Sequence, residues 1–268
     1  EKALRKEYHY TDPVNDDFAP NNIEQKPLPV DYEYISHSFF RRCWDFFIYH
    51  FVAVPIVWVY QKAVYGERIV GKKAVRPYLK KGFFLYGNHT RSAGDAFTPT
   101  LITLPRKANI IINPDGVSIP FVRHLVKSLG GFPIPNKLDG MRNFHSSLMK
   151  LAEDNCVTIY PEAHIWPMYT GIRPFKSVSF KYPAEAGKPV FTFTVTYRKR
   201  FLRKIPGTTV YIDGPFFPDS SLSLHENREM LRNKAYEAMC ERSKKSTYEY
   251  NTYICDSKPA AESPQTAV

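Results

Sequence analysis

Six short runs, Phe83–Tyr86, Asn109–Ile112, Phe132–Ile134, Val157–Tyr160, Val190–Thr196 and Thr209–Ile212, are apolar along most of their length with little alternation. A strand with one wet face alternates, so runs of this kind fit strands covered on both sides, as in a parallel sheet sandwiched by helices. The segments between them supply helices. One is expected to start at an Asp139 cap and carry Met141, Phe144, Leu148 and Leu151 at spacings of three and four as far as Asn155. A second, about Leu224 to Lys244, places Leu231, Ala235, Ala238 and Met239 on one stripe. The expected fold class is therefore α/β: a mostly parallel or mixed sheet flanked by helices, with an N-terminal helical segment at a membrane interface.

That N-terminal segment is read from Phe46–Tyr60, an apolar and aromatic run preceded by Arg41-Arg42 and followed by Lys62. Spanning a bilayer takes about 20 apolar residues, and His50 and Pro55 interrupt this run. Aromatic rings and flanking cations suit the headgroup layer instead, giving membrane phospholipids as a partner. Residues 1–35 are polar and contain four prolines, Pro13, Pro20, Pro27 and Pro29, so they read as an extended arm. The expected division is 1–35 arm, 36–65 membrane-associated helix, 66–250 α/β domain and 251–268 tail, disordered from Ser257.

The 268 residues suffice for one sizeable α/β domain with appendages. Lys and Arg number 37 against 26 Asp and Glu, a net charge of +11 that favours anionic partners. Phospholipid surfaces and phosphate-bearing cofactors fit. Nucleic acid is not expected, since no basic tract, zinc-finger spacing or ribonucleoprotein-type aromatic motif accompanies the charge. Cys43, Cys156, Cys240 and Cys255 are scattered without C-x-x-C spacing, so neither a disulfide framework nor zinc is expected, and a reducing compartment is. No signal peptide is expected. There is also no G-x-S-x-G, G-x-G-x-x-G or G-x-x-x-x-G-K-[ST], which argues against a serine-hydrolase elbow, a dinucleotide fold and a nucleotide triphosphatase.

Chemistry concentrates at two of the apolar runs. The first exits into Gly87-Asn88-His89-Thr90-Arg91-Ser92-Ala93-Gly94-Asp95, and the fourth into Pro161-Glu162-Ala163-His164. Strand ends bearing such residues are where an open α/β sheet builds a site. Here the chain resembles the glycerolipid acyltransferases, the family of lysophosphatidate and glycerol-3-phosphate acyltransferases. Their first block reads N-H-x-x-x-x-D and their third F-P-E-G. Asn88, His89 and Asp95 match the first with one extra residue before Asp. Tyr160-Pro161-Glu162-Ala163 matches the third with Ala for Gly, and His164 and Ile165 follow where the family has Thr-Arg. Leu129-Gly130-Gly131-Phe132-Pro133-Ile134 matches the second block, with Asn136 where the family usually has Arg. The likeness runs from about Ile69 to Tyr197.

The resemblance implies transfer of a fatty acyl group from an acyl thioester, acyl-CoA or acyl-ACP, to the hydroxyl of a lysophospholipid, with 1-acylglycerol 3-phosphate the usual acceptor. His89 would be the general base, since an imidazole of ordinary pKa about 6.5 can withdraw a hydroxyl proton during attack. Asp95 would fix its tautomer, and Gly94 would absorb the extra residue. Glu162 would hold the acceptor. With Asn136 and Ile165 unable to bind phosphate as a guanidinium does, the substitute cations are Arg91, Lys137, Arg173 and Lys176. No redox cofactor or metal is expected, because Glu162 and His164 lack a third ligand nearby. The protein is placed on the cytoplasmic face of a membrane. Two alternatives stay open: an acyltransferase for a non-phosphate lipid acceptor, and a non-catalytic lipid-binding protein.

Overall fold

The computed structural model describes residues 5–19, 27–91, 93–118 and 122–256. Nine strands are present among them: β1 Glu7–Tyr10, β2 Arg68–Val70, β3 Phe83–Gly87, β4 Ala108–Ile112, β5 Gly131–Pro133, β6 Cys156–Ile159, β7 Val190–Arg198, β8 Gly207–Phe216 and β9 Thr252–Cys255. The helices are α1 Phe39–Phe47, α2 Val54–Tyr65, α3 Gly94–Thr103, α4 Asp115–Ser118, α5 Val122–Ser128, α6 Met141–Ala152, α7 Lys181–Ala186 and α8 Leu224–Ser243. Seven strands form one sheet in the order β2-β8-β7-β3-β6-β4-β5, parallel throughout except for the antiparallel β7–β8 pair. The fold is the expected α/β architecture with a mixed sheet flanked by helices.

Both faces of the sheet are covered, as the unbroken apolar runs require. In β3, Phe84 and Tyr86 join a core with Phe144 and Leu148 of α6 and Leu231, Ala235 and Met239 of α8. Phe83 and Leu85 point the other way, into a core with Ile102 of α3 and Phe191, Phe193 and Val195 of β7. α8 starts at a capping box in which Ser223 accepts from the Glu226 backbone and the Glu226 carboxylate accepts from that of Ser223. α6 differs from its reading: it is entered through a 3₁₀ turn, Leu138–Gly140, and its N-cap is Gly140 with no side-chain cap. Asp139 is an exposed residue of that turn.

The N-terminal helix is longer than its apolar run. α1, a π-helical stretch Ile48–Ala53 and α2 form 27 continuous residues, Phe39–Tyr65, long and apolar enough by composition to cross a membrane. Pro55 does not end it; the chain passes through Pro55 with helical backbone, and the π-helical stretch lies directly before it, where the missing proline donor interrupts the regular ladder. Tyr49, Val57, Gln61 and Tyr65 are buried on one side, while Phe39, Phe40, Trp44, Phe47, Phe51 and Trp58 are exposed on the other. Arm and tail meet: β1 pairs in parallel with β9, Glu7 opposite Thr252 and Tyr10 opposite Cys255. Residues 252–255, assigned to the tail from sequence, are thus a strand; the segment from Ser257 lies outside the described residues.

Candidate active site

β3 and β6 are adjacent and parallel, with Tyr86 opposite Ile159, so the segments that follow leave the same edge of the sheet. Gly87 ends β3 under the ring of Phe193, which a Cβ at Gly87 would meet at 2.1 Å. The Asn88 side chain then continues the ladder to β7, its amide donating to the Val195 carbonyl at 3.1 Å and its oxygen accepting from the Val195 N–H at 2.8 Å. Fixed in this way, the chain presents His89. The third-block loop runs alongside, with Trp166 N–H donating to the His89 carbonyl and Met168 N–H to that of Thr90.

His89 Nδ1 lies 3.0 Å from Asp95 Oδ2. Asp95 is the second residue of α3, so the extra residue relative to the family block falls in the turn before the helix and the carboxylate still returns to the imidazole. Oδ2 also accepts from the backbone N–H groups of Thr90 and Arg91 at 2.7 and 2.8 Å. Tyr160 stacks on the His89 ring at 4.5 Å between centroids and donates its hydroxyl to the Asp95 carbonyl. Asp95 is fully buried. Burial alone would push its carboxyl up, but the His89 hydrogen bond and the Arg91 charge outweigh it and hold the group below its ordinary 3.8.

With the folded value depressed, the stabilisation from Asp95 is complete above about pH 3.8 and is lost as pH falls through the folded value. In urea denaturation, the stability gap between the native protein and Asp95→Asn is expected to be widest near neutrality and to narrow below that pH. A gap that is constant with pH would contradict the ion-paired carboxylate.

Arg91 does not reach the cleft. Its guanidinium is buried, with Nε 3.1 Å from Asp95 Oδ1, one terminal nitrogen 2.9 Å from Glu67 Oε2 and the other 2.7 Å from Thr98 Oγ1. Gln61 of α2 donates to Thr98 and to the Gly94 carbonyl, tying the N-terminal helix to this cluster. Arg173 is equally committed. Its backbone N–H donates to Glu162 Oε1 at 3.0 Å, its guanidinium donates to the Glu162 and His164 carbonyls, and it lies over the Trp166 ring. Glu162 uses its other oxygen to accept from the His89 N–H at 3.0 Å. Burial raises the Glu162 carboxyl despite the opposing Arg173 charge, so its effect on stability with pH runs opposite to that of Asp95. Glu162 joins the two strand ends from beneath; it does not line the cleft.

The cleft is an apolar cavity of about 880 Å³ between the N-terminal helix and strands β4 and β5. Tyr49, Val52 and Ile56 face Ile110, Ile112 and Leu129 across it, and His89, Tyr160, Lys176 and Tyr182 also line it. Lys176 is the one Lys or Arg among the described lining residues. Lys137 is exposed and lies outside the wall. The described residues hold no cluster of three or more metal-ligating side chains.

No family model matches the sequence, and no curated protein does. Among solved structures, the chain is similar to the 1-acyl-sn-glycerophosphate (LPA) acyltransferase PlsC from Thermotoga maritima, with 16% identity and a TM-score of 0.52 over 81% of this chain and 92% of that one. This chain has the PlsC fold. The pilus retraction motor PilT with bound ADP is also found, with 9% identity and a TM-score of 0.30 over 68% and 60% of the two chains, a likeness too weak to carry any argument.

One departure from the family blocks carries backbone strain. Ala163 stands where the third block has Gly, and its φ is +64°, a left-handed conformation that glycine adopts at no cost. Sequence reasoning missed Glu67, Thr98 and Gln61, which surround Arg91. No local signal marks them, since they meet only through tertiary packing.

Proposed function

We propose that this chain is a glycerolipid acyltransferase that moves a fatty acyl group from acyl-CoA or acyl-ACP to the hydroxyl of a lysophospholipid, 1-acylglycerol 3-phosphate in the first instance. The observation that carries the reading is the His89–Asp95 pair at 3.0 Å in the wall of an apolar cavity of about 880 Å³, a size within the range of small-molecule pockets. With Nδ1 held by the carboxylate, Nε2 faces the substrate. It takes the acceptor's hydroxyl proton as the oxygen attacks the thioester carbonyl, and returns it to the sulfur as the C–S bond breaks. Asp95 stabilises the imidazolium in between.

The apolar wall suits the acyl chain, and Lys176 supplies a cation for an acceptor phosphate. Arg91 and Arg173, neutralised by buried carboxylates, are assigned as positioning residues for Asp95 and Glu162. Their withdrawal from the cleft is the observation that favours a second reading, transfer to a non-phosphate lipid acceptor. The exposed aromatic face of the N-terminal helix supports attachment to a membrane, and the four free cysteines fit the cytoplasmic face. Because Tyr49, Val57, Gln61 and Tyr65 pack onto the catalytic domain over about 24 Å of helix, the helix is taken to lie in the interface.

One assay tests the proposal. Purified protein given a long-chain acyl thioester and a panel of phosphorylated and neutral lysolipids is expected to release thiol and to form the diacyl product of the phosphorylated acceptor. Turnover with neutral acceptors alone would select the second reading. Thioester retained without thiol release would leave a lipid-binding protein.

A further inference from the structure

The connection between β7 and β8 combines charge and exposed apolar surface. It reads Arg198-Lys199-Arg200-Phe201-Leu202-Arg203-Lys204-Ile205-Pro206, five cations with no carboxylate around two adjacent large apolar residues. Phe201 is 90% exposed and Leu202 87%, at a turn where Leu202 has φ +56°.

The base of the loop is fixed to the N-terminal helix. The Arg198 guanidinium donates to the Gly66 carbonyl at 2.7 Å, and Arg200 donates to the carbonyls of Val64 and Ala63. Cations there complement the negative end of the helix. Trp58 and Val59, 54% and 56% exposed, lie about 6–9 Å back along the axis. The loop is therefore anchored at the end of the exposed apolar helix.

We propose that residues 199–206 form a second membrane contact. Phe201 and Leu202 enter the headgroup layer of an anionic phospholipid surface, while Lys199, Arg203 and Lys204 meet its phosphates. Apolar side chains flanked by cations are what such a surface rewards, through burial and through attraction to its charge. A nucleic acid would reward the cations and stack on Phe201, but would gain nothing from a leucine beside it. A protein partner needs about 800 Å² of each surface, far more than a two-residue tip supplies. The proposal extends the membrane reading above and does not depend on acyl transfer.

The test is vesicle flotation of the full chain with phosphatidylcholine, alone or mixed with phosphatidylglycerol. Native protein is expected to bind the mixed vesicles more tightly, and less so as salt is raised. Each basic residue near an anionic surface contributes about fivefold in affinity. The triple variant Lys199→Gln, Arg203→Gln, Lys204→Gln is thus expected to lose roughly 100-fold on mixed vesicles and little on pure phosphatidylcholine. Phe201→Ser with Leu202→Ser is expected to weaken binding to both. Thiol release with a short-chain, water-soluble acceptor and no vesicles is expected to be unchanged in both variants, which separates this proposal from the activity. The proposal is overturned if the variants float like the native protein, if phosphatidylglycerol has no effect, or if RNA displaces the protein from vesicles while the serine variant behaves as native.

Discussion

Replacing His89 with alanine is expected to lower thiol release from an acyl thioester by about 10²–10⁴-fold, the usual contribution of a positioned base. The side chain lies in the cavity wall, and its substitution leaves the backbone bond from its N–H to Glu162 in place. The fold should survive, with an unchanged circular dichroism spectrum, so the loss reports chemistry. Asp95→Asn should give a loss of similar order for a different reason. A carboxamide can turn its N–H₂ toward Nδ1 and stabilise the tautomer that places the proton on Nε2, where it cannot act as a base. Native rates in His89→Ala would remove the catalytic assignment.

Arg91→Met is expected to cost about 3–5 kcal/mol of stability, because it leaves the carboxylates of Asp95 and Glu67 buried without their shared counter-charge. For a chain of this size, that corresponds to a fall in melting temperature on the order of 10 °C or more. Removing the cation also removes one cause of the low Asp95 pKa, so the acid limb of thiol release should move to higher pH in whatever fraction stays folded. Lys137→Met, on the exposed surface, is the control and should change stability by no more than about 0.5 kcal/mol. A melting temperature for Arg91→Met within the error of the native value would mean that the two carboxylates are hydrated, not ion-paired.

The strands carrying the fold were legible because being buried on both faces leaves an apolar run that needs no partner to be recognised. All six of those segments are strands of the seven-stranded sheet. β2, at the sheet edge, and the β1–β9 pair were not legible. Each has three or four residues of mixed exposure and acquires its pairing from chain far away in sequence. In the site, the contact of His89 with Asp95 could be anticipated from the likeness to the first family block, with Gly94 placed to absorb the extra residue. The allocation of cations could not. Arg91 and Arg173 have the side chain expected of a phosphate ligand, and only the positions of Glu67 and Glu162 show that both are already neutralised. Lys176 has no local feature to distinguish it from Lys137; what separates them is a cavity made from helix, sheet and loop together.

The β1–β9 pairing bears on how the protein is made. Trp166, in the loop that runs alongside His89, is covered by Tyr10 and Phe18 from the beginning of the chain and stacked by Tyr253 near its end, at 5.0 Å. During synthesis, Tyr10 and Phe18 are made more than two hundred residues before Tyr253. The cover over the loop beside His89 can thus close only once residues 252–255 have been made, and a nascent chain stalled short of Tyr253 would leave Trp166 without its stacking partner.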